Sequence, residues 1–152
     1  MATEVERKFL VTGKFPTESS TAIVQGYLNL DPERIVRVRI ESGLATLAIQ
    51  GKTEGVRHLE FEYQIPESDA RELLAISVGR QIEKTRYHCT YGTHTWEIDV
   101  FQGMNRGLVV AEIELDDEFE QFDVPEWIGK EVSDDPRYRN AVLSLSPYEQ
   151  WK

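Results

Sequence analysis

Like-charged residues two apart recur along this chain. Glu4 and Glu6 lead to Lys8, Arg37 to Arg39, Glu60 to Glu62, Lys84 to Arg86, Glu97 to Asp99, and Glu112 to Glu114. Apolar residues alternate with them, as in Val36-Arg37-Val38-Arg39-Ile40 and Trp96-Glu97-Ile98-Asp99-Val100. The two charge sets have complementary chemistry. Guanidinium forks and ammonium groups match phosphate oxygens. Clustered carboxylates match Mg²⁺ or Mn²⁺, hard ions that prefer oxygen ligands. Brought to one place, the two sets form the kit for phosphoryl transfer, in which cations clamp a phosphate chain and a metal orients water.

Positioning them is the task of strands. Residues i and i+2 of a strand share one face, about 7 Å apart. Period-two alternation covers Glu4 to Val11, Ile35 to Ile40, Ala45 to Lys52, Leu59 to Ile65, Gln81 to Tyr87, Thr95 to Phe101 and Leu108 to Leu115, with a further strand at Gln25 to Leu28. Gly43, Gly55, Gly92 and Gly103 punctuate these runs as turns. One charged strand face is an ordinary solvated surface. Like charges side by side repel, however, and a sheet gains more by mixing signs. Six strands carrying such pairs therefore predict a barrel with charges inside and apolar residues outside. A dry interior could not hold these charges, but a wet tunnel filled by a polyanion and divalent ions could.

Helices are few. Ala70, Leu73 and Leu74 line one face of Glu67 to Ile76, which follows Pro66. Asp134 and Asp135 before Pro136 predict a C-terminal helix with Tyr138, Ala141, Val142 and Leu145 on one face. A short helix is expected around Asp117 to Phe122. The fold class is α+β and mainly β, a closed antiparallel barrel with a few flanking helices.

The length of 152 residues fits one domain spanning residues 1–152. A formal charge of −10 argues against a nucleic-acid partner. No stretch approaches the roughly 20 apolar residues of a membrane span, and the N-terminus has no apolar signal core. With a single cysteine, Cys89, no internal disulfide is possible, and a cytoplasmic location is expected. His58, His88 and His94 show no metal-binding spacing and are read as structural or exposed, while no Walker loop or GxGxxG is present.

The ordered series of motifs resembles the CYTH-domain family, the triphosphate tunnel metalloenzymes. Glu4-Val5-Glu6-Arg7-Lys8 matches the E-x-E-x-K signature. Gln25-Gly26-Tyr27-Leu28, Arg37-x-Arg39, Glu60-x-Glu62, Glu83-Lys84-Thr85-Arg86-Tyr87, Glu97-Ile98-Asp99 and Ala111-Glu112-Ile113-Glu114-Leu115 follow in order. So do Trp127-x-Gly129-x-Glu131-Val132 and Arg137-Tyr138-Arg139-Asn140, as in short bacterial members.

The resemblance implies an eight-stranded antiparallel tunnel, a triphosphate substrate and Mg²⁺ or Mn²⁺. It implies phosphate binding by Lys8, Arg37, Arg39, Lys84 and Arg86. Metal binding or water positioning falls to Glu4, Glu6, Asp99, Glu112 and Glu114, with Glu60, Glu62 and Glu97 as supports. Lys8 with Tyr27 is the catalytic pair, and the C-terminal helix closes one mouth.

The chain departs from the family pattern at two places. Gln50 stands where Lys is usual, with Lys52 on the same face as its substitute in phosphate binding, and His58 stands where Arg is frequent. Hydrolysis of inorganic triphosphate is the first reading. Adenylate cyclase, thiamine or nucleoside triphosphatase, and a non-catalytic polyphosphate-binding module are the alternatives. A homodimer is an open possibility.

Overall fold

Alternation along the chain becomes an inside and an outside. The computed structural model describes residues 2–151. Its strands are β1 (Thr3–Val11), β2 (Ser20–Asn29), β3 (Arg34–Glu41), β4 (Leu44–Gly51), β5 (Arg57–Ile65), β6 (Val78–Tyr91), β7 (His94–Phe101), β8 (Val109–Leu115) and β9 (Ile128–Glu131). Helix α1 (Glu67–Ala75) lies between β5 and β6, and α2 (Asn140–Leu143) is near the C-terminus. The strands pair in the order β5-β4-β3-β2-β6-β7-β8-β1, and β1 closes the ring onto β5, giving an eight-stranded antiparallel barrel. Closure rests on three residue pairs, Thr3 with Leu59, Glu4 with His58 and Val5 with Arg57. Farther along, β1 pairs with the extra strand β9 through Phe9 and Val11.

Register follows from turn chemistry and bulges. Ser42 and Gly43 both have positive φ, at 49° and 82°, which fits a tight two-residue hairpin between β3 and β4. Strand β2 shifts register beside Tyr27 on both edges, and such bulges bend a strand as barrel closure requires. Gly26 is needed at this bend: a Cβ there would lie 2.9 Å from Ser77 Oγ and 3.0 Å from Leu74 Cδ2. Its bare backbone lets α1 and the following turn approach while Gln25 and Tyr27 point inward.

Three apolar clusters hold the barrel. Val5, Phe9, Trp96, Ile98 and Ile113 form an outer cluster on β1, β7 and β8, covered by Trp127 and Phe122. Ala70 and Leu74 of α1 cover Val38 and Ala45 on β3 and β4. The third cluster fills one end of the barrel with Tyr27, Ile82, Phe101 and Val110, and the C-terminal segment adds Leu143. On β5, Leu59, Phe61 and Tyr63 point outward and remain exposed. No helix among the described residues is long and apolar enough to cross a membrane.

Two expectations change, and one strand is added. Residues Asp117 to Phe122 form a turn rather than a helix, because the acidic side chains bond back to the backbone: Asp117 Oδ2 accepts from Phe119 N, and Glu120 Oε1 from Asp116 N. The C-terminal helix is split into a 3₁₀ turn at Pro136–Tyr138 and the single turn of α2, with Arg139 extended between them at φ −71° and ψ 135°. The break turns Asn140 toward the barrel interior. Strand β9 has only four residues, Ile-Gly-Lys-Glu, too short to show period two.

Candidate active site

The inward faces enclose a cavity of about 440 Å³. Strand β1 contributes Glu4, Glu6 and Lys8, and β8 places Glu114 opposite Glu6 and Glu112 opposite Lys8. Strand β3 contributes Arg37 and Arg39, and β6 contributes Lys84 and Arg86. Glu60, Glu62, Glu97 and Tyr27 also line the cavity, and Lys52 stands exposed at its wall just past the end of β4. The expected site residues thus converge, apart from Asp99, which sits behind the wall.

Asp99 is fully buried. Its Oδ1 accepts from Arg86 Nε over 2.7 Å, and its Oδ2 from Arg86 Nη2 over 2.9 Å with Lys84 Nζ 2.8 Å away. Burial disfavours the Asp99 charge, but Lys84 and Arg86 outweigh it and hold the carboxyl well below its usual range. The geometry makes Asp99 an anchor for two phosphate-binding candidates.

Like charges crowd one another at the cavity, although ion pairs cross between the two sets. Arg39 is pushed down to about 10 by burial and then by Arg37 and Arg86. Lys84 is pushed down to about 7 by burial, against the attraction of Asp99 and with Arg86 and Arg39 repelling it. On the acidic side, burial raises Glu6 to about 7 and Glu112 adds to the shift. Glu114 is raised by burial and then by Glu4 and Glu97. Each crowd is costly alone, and each is the state that an opposite charge would relieve.

The fit to an anion and to a metal is visible at particular atoms. Arg37 Nη2 lies 3.2 Å from Glu62 Oε2, while its buried Nε has no partner among the described residues. An unpartnered buried donor on a wall of cations suits a phosphate oxygen. Ligand atoms of Glu4, His58 and Glu60 lie within 4.8 Å of one another, a spacing compatible with one metal ion. Oxygen donors dominate this end of the cavity, as a hard divalent ion requires.

Lys8 and Tyr27 line the same cavity but take different partners. Lys8 Nζ donates to Glu112 Oε1 over 2.7 Å. Burial works against the Lys8 charge, yet Glu112 and Glu6 prevail and raise its pKa above the usual lysine range. Tyr27 Oη is 3.0 Å from Gln25 Nε2, and burial raises its pKa too.

Several residues escaped the charge pattern. His58 is buried, with Nε2 3.4 Å from both Glu4 Oε2 and Glu60 Oε1, so it belongs to the site. Burial disfavours its charge, but Glu4 and Glu60 push it up to about 9. Its signal was the two-residue spacing to Glu60. Gln25 carried the same signal relative to Tyr27. Ser133, Arg139 and Asn140 also line the cavity, from a tail whose coiled path gives no face periodicity. Gln50 faces inward and donates to Glu60 Oε1 over 2.6 Å.

The comparisons with known proteins agree with this architecture. The CYTH domain model matches residues 2–139, and the chain belongs to the CYTH domain family. It is 42% identical over 155 residues to an inorganic triphosphatase of Acetivibrio thermocellus, covering 100% of this chain and 99% of the relative. It is 36% identical over 150 residues to an inorganic triphosphatase of Nitrosomonas europaea, covering 95% and 98% respectively. The crystal structure of the inorganic triphosphatase NE1496 superposes with a TM-score of 0.69 at 32% identity, over 93% of this chain and 97% of that one.

Proposed function

We propose that this chain hydrolyses inorganic triphosphate to pyrophosphate and orthophosphate, with Mg²⁺ or Mn²⁺ as cofactor. The observation that carries the reading is the convergence of crowded cations and crowded carboxylates on one cavity. Relatives that match nearly the full chain and carry the name inorganic triphosphatase support it. Arg37, Arg39, Lys84 and Arg86 grip the phosphate chain, with Lys52 at the wall. Asp99, Glu62 and Glu97 hold the guanidinium and ammonium groups in place.

Glu4, Glu6 and Glu114 would hold the divalent ion, and the ligand atoms of Glu60 and His58 lie close to that of Glu4. When bound, such an ion supplies Lewis-acid polarisation and orients water. Water adds to the terminal phosphorus, the bridging P–O bond breaks, and pyrophosphate leaves. Lys8, fixed as a cation by Glu112, sits where negative charge grows and stabilises it. Incubation with tripolyphosphate, ATP and thiamine triphosphate tests the reading: tripolyphosphate should be turned over fastest. Metal-independent turnover, or cyclic AMP as the main product from ATP, would overturn it.

A further inference from the structure

Gln25 is wholly buried between residues of three different elements. Its Oε1 accepts from Arg39 Nε over 2.9 Å. Its Nε2 lies 3.0 Å from Tyr27 Oη and 3.3 Å from Asn140 Oδ1. Asn140 Oδ1 also accepts from Lys84 Nζ over 2.9 Å.

The direction of each hydrogen bond in this network is forced. A guanidinium has donors and no acceptor, so the Gln25 atom facing Arg39 must be the oxygen. The amide nitrogen must therefore face Tyr27 and Asn140. An amide nitrogen only donates, so the Asn140 atom facing Gln25 Nε2 must be oxygen, which agrees with its accepting from Lys84. Arg39 at one end therefore leaves the Gln25 amide a single orientation. Because Gln25 Nε2 donates to Tyr27 Oη, the phenol uses a lone pair there and keeps its own proton free for another acceptor. Tyr27 lines the cavity.

We propose that Gln25 is a positioning residue that sets Tyr27 as a hydrogen-bond donor to a phosphate oxygen of the bound triphosphate, and that it ties the seating of Asn140 to this arrangement. The inference rests on the triphosphatase reading. It gives Tyr27 the role of donor to the substrate. Burial, which raises the Tyr27 pKa, keeps that proton in place at neutral pH. Seating of the C-terminal segment and orientation of Tyr27 then share one residue, so a displaced Asn140 loosens the donor as well.

A double-mutant cycle tests this, with tripolyphosphate as substrate and Mg²⁺ present. Gln25→Met and Tyr27→Phe should each lower kcat by roughly tenfold to a hundredfold, the loss of one hydrogen bond to a charged group, with a smaller change in KM. If Gln25 acts through Tyr27, the double variant falls no further than the worse single one. Multiplying losses, or a Gln25→Met enzyme within twofold of the parent, would overturn the proposal.

Gln25→Glu keeps the shape and reverses the polarity, since a carboxylate accepts from both Arg39 and Tyr27. It should lower kcat further than Gln25→Met and decides the matter alone if Gln25→Met does not fold. Parental kcat in Gln25→Glu would also overturn the proposal. An unmodified chain that does not hydrolyse tripolyphosphate overturns the functional reading, and the proposal falls with it. An active parent with additive losses overturns the Gln25 role alone.

Discussion

Lys8 and Glu112 face each other across β1 and β8, and the Lys8 ammonium donates to Glu112 Oε1 over 2.7 Å. The same ammonium lies 3.8 Å from Glu6 Oε1, so Lys8 stands between two carboxylates. Lys8 is held charged, which suits a group that stabilises developing negative charge and does not suit a proton acceptor. Lys8→Ala should lower kcat for triphosphate by about 10²-fold or more while KM moves much less. Steady-state kinetics check this, and a variant changed only in KM would assign Lys8 to ground-state binding.

The paired carboxylates of β1 and β8 give a second prediction. Glu6 stands directly opposite Glu114, and burial together with neighbouring carboxylates raises both pKa values. Glu4→Gln and Glu114→Gln should each abolish metal-dependent turnover and weaken Mn²⁺ binding, measured by calorimetry. Metal-free Glu114→Gln should melt no lower than the parent, because it removes a repelling charge, whereas Glu4→Gln also loses the ion pair with His58. Unchanged Mn²⁺ affinity in both would remove these residues from the metal site.

What was legible in the sequence is what period two encodes. Charges at i and i+2 assign Glu4, Glu6, Lys8, Arg37, Arg39, Lys84, Arg86, Glu112 and Glu114 to the inner face, because parity alone selects a face. Parity does not say which cross-strand partner a charge meets. Asp99 had the right face, yet its opposite neighbour is Arg86, which takes its carboxylate away from the cavity wall. Neutral polar residues such as Gln25 carry no charge pattern, and their roles emerge only from their partners. Asn140 and Arg139 come from a segment that breaks at Arg139, where local capping rules predicted a continuous helix.

His58 makes stability depend on pH. Hydrogen bonds to Glu4 and Glu60 outweigh burial and raise it from 6.5 to about 9. A raised pKa in the folded state stabilises fully below the unfolded value and is lost as pH rises through the folded one. The His58 contribution in metal-free protein is therefore full below about pH 6.5 and gone above about pH 9. Thermal melts of the parent and of His58→Gln across this window should show their difference shrinking as pH rises. A difference that stays constant would mean that His58 does not titrate between its two carboxylates.

Gln50 offers a gain of function. It faces the cavity and donates to Glu60 Oε1 over 2.6 Å. Gln50→Lys brings a further cation to that wall, partly neutralised by Glu60. KM for triphosphate should fall by up to about tenfold, equivalent to about 1.4 kcal/mol, with kcat little changed. Repeating the substitution with Lys52→Ala shows whether Lys52 already serves the same place. An unchanged KM in both backgrounds would separate position 50 from the substrate.

On the proposed function, the opposed charges of this tunnel act with a divalent ion to cleave a linear triphosphate. The decisive assay follows orthophosphate and pyrophosphate from tripolyphosphate, with Mg²⁺ or Mn²⁺ added and with chelator. One orthophosphate and one pyrophosphate should form per substrate, and only when the ion is present. Tight binding of tripolyphosphate without product under any metal condition would contradict hydrolysis and leave the tunnel a polyphosphate-binding module.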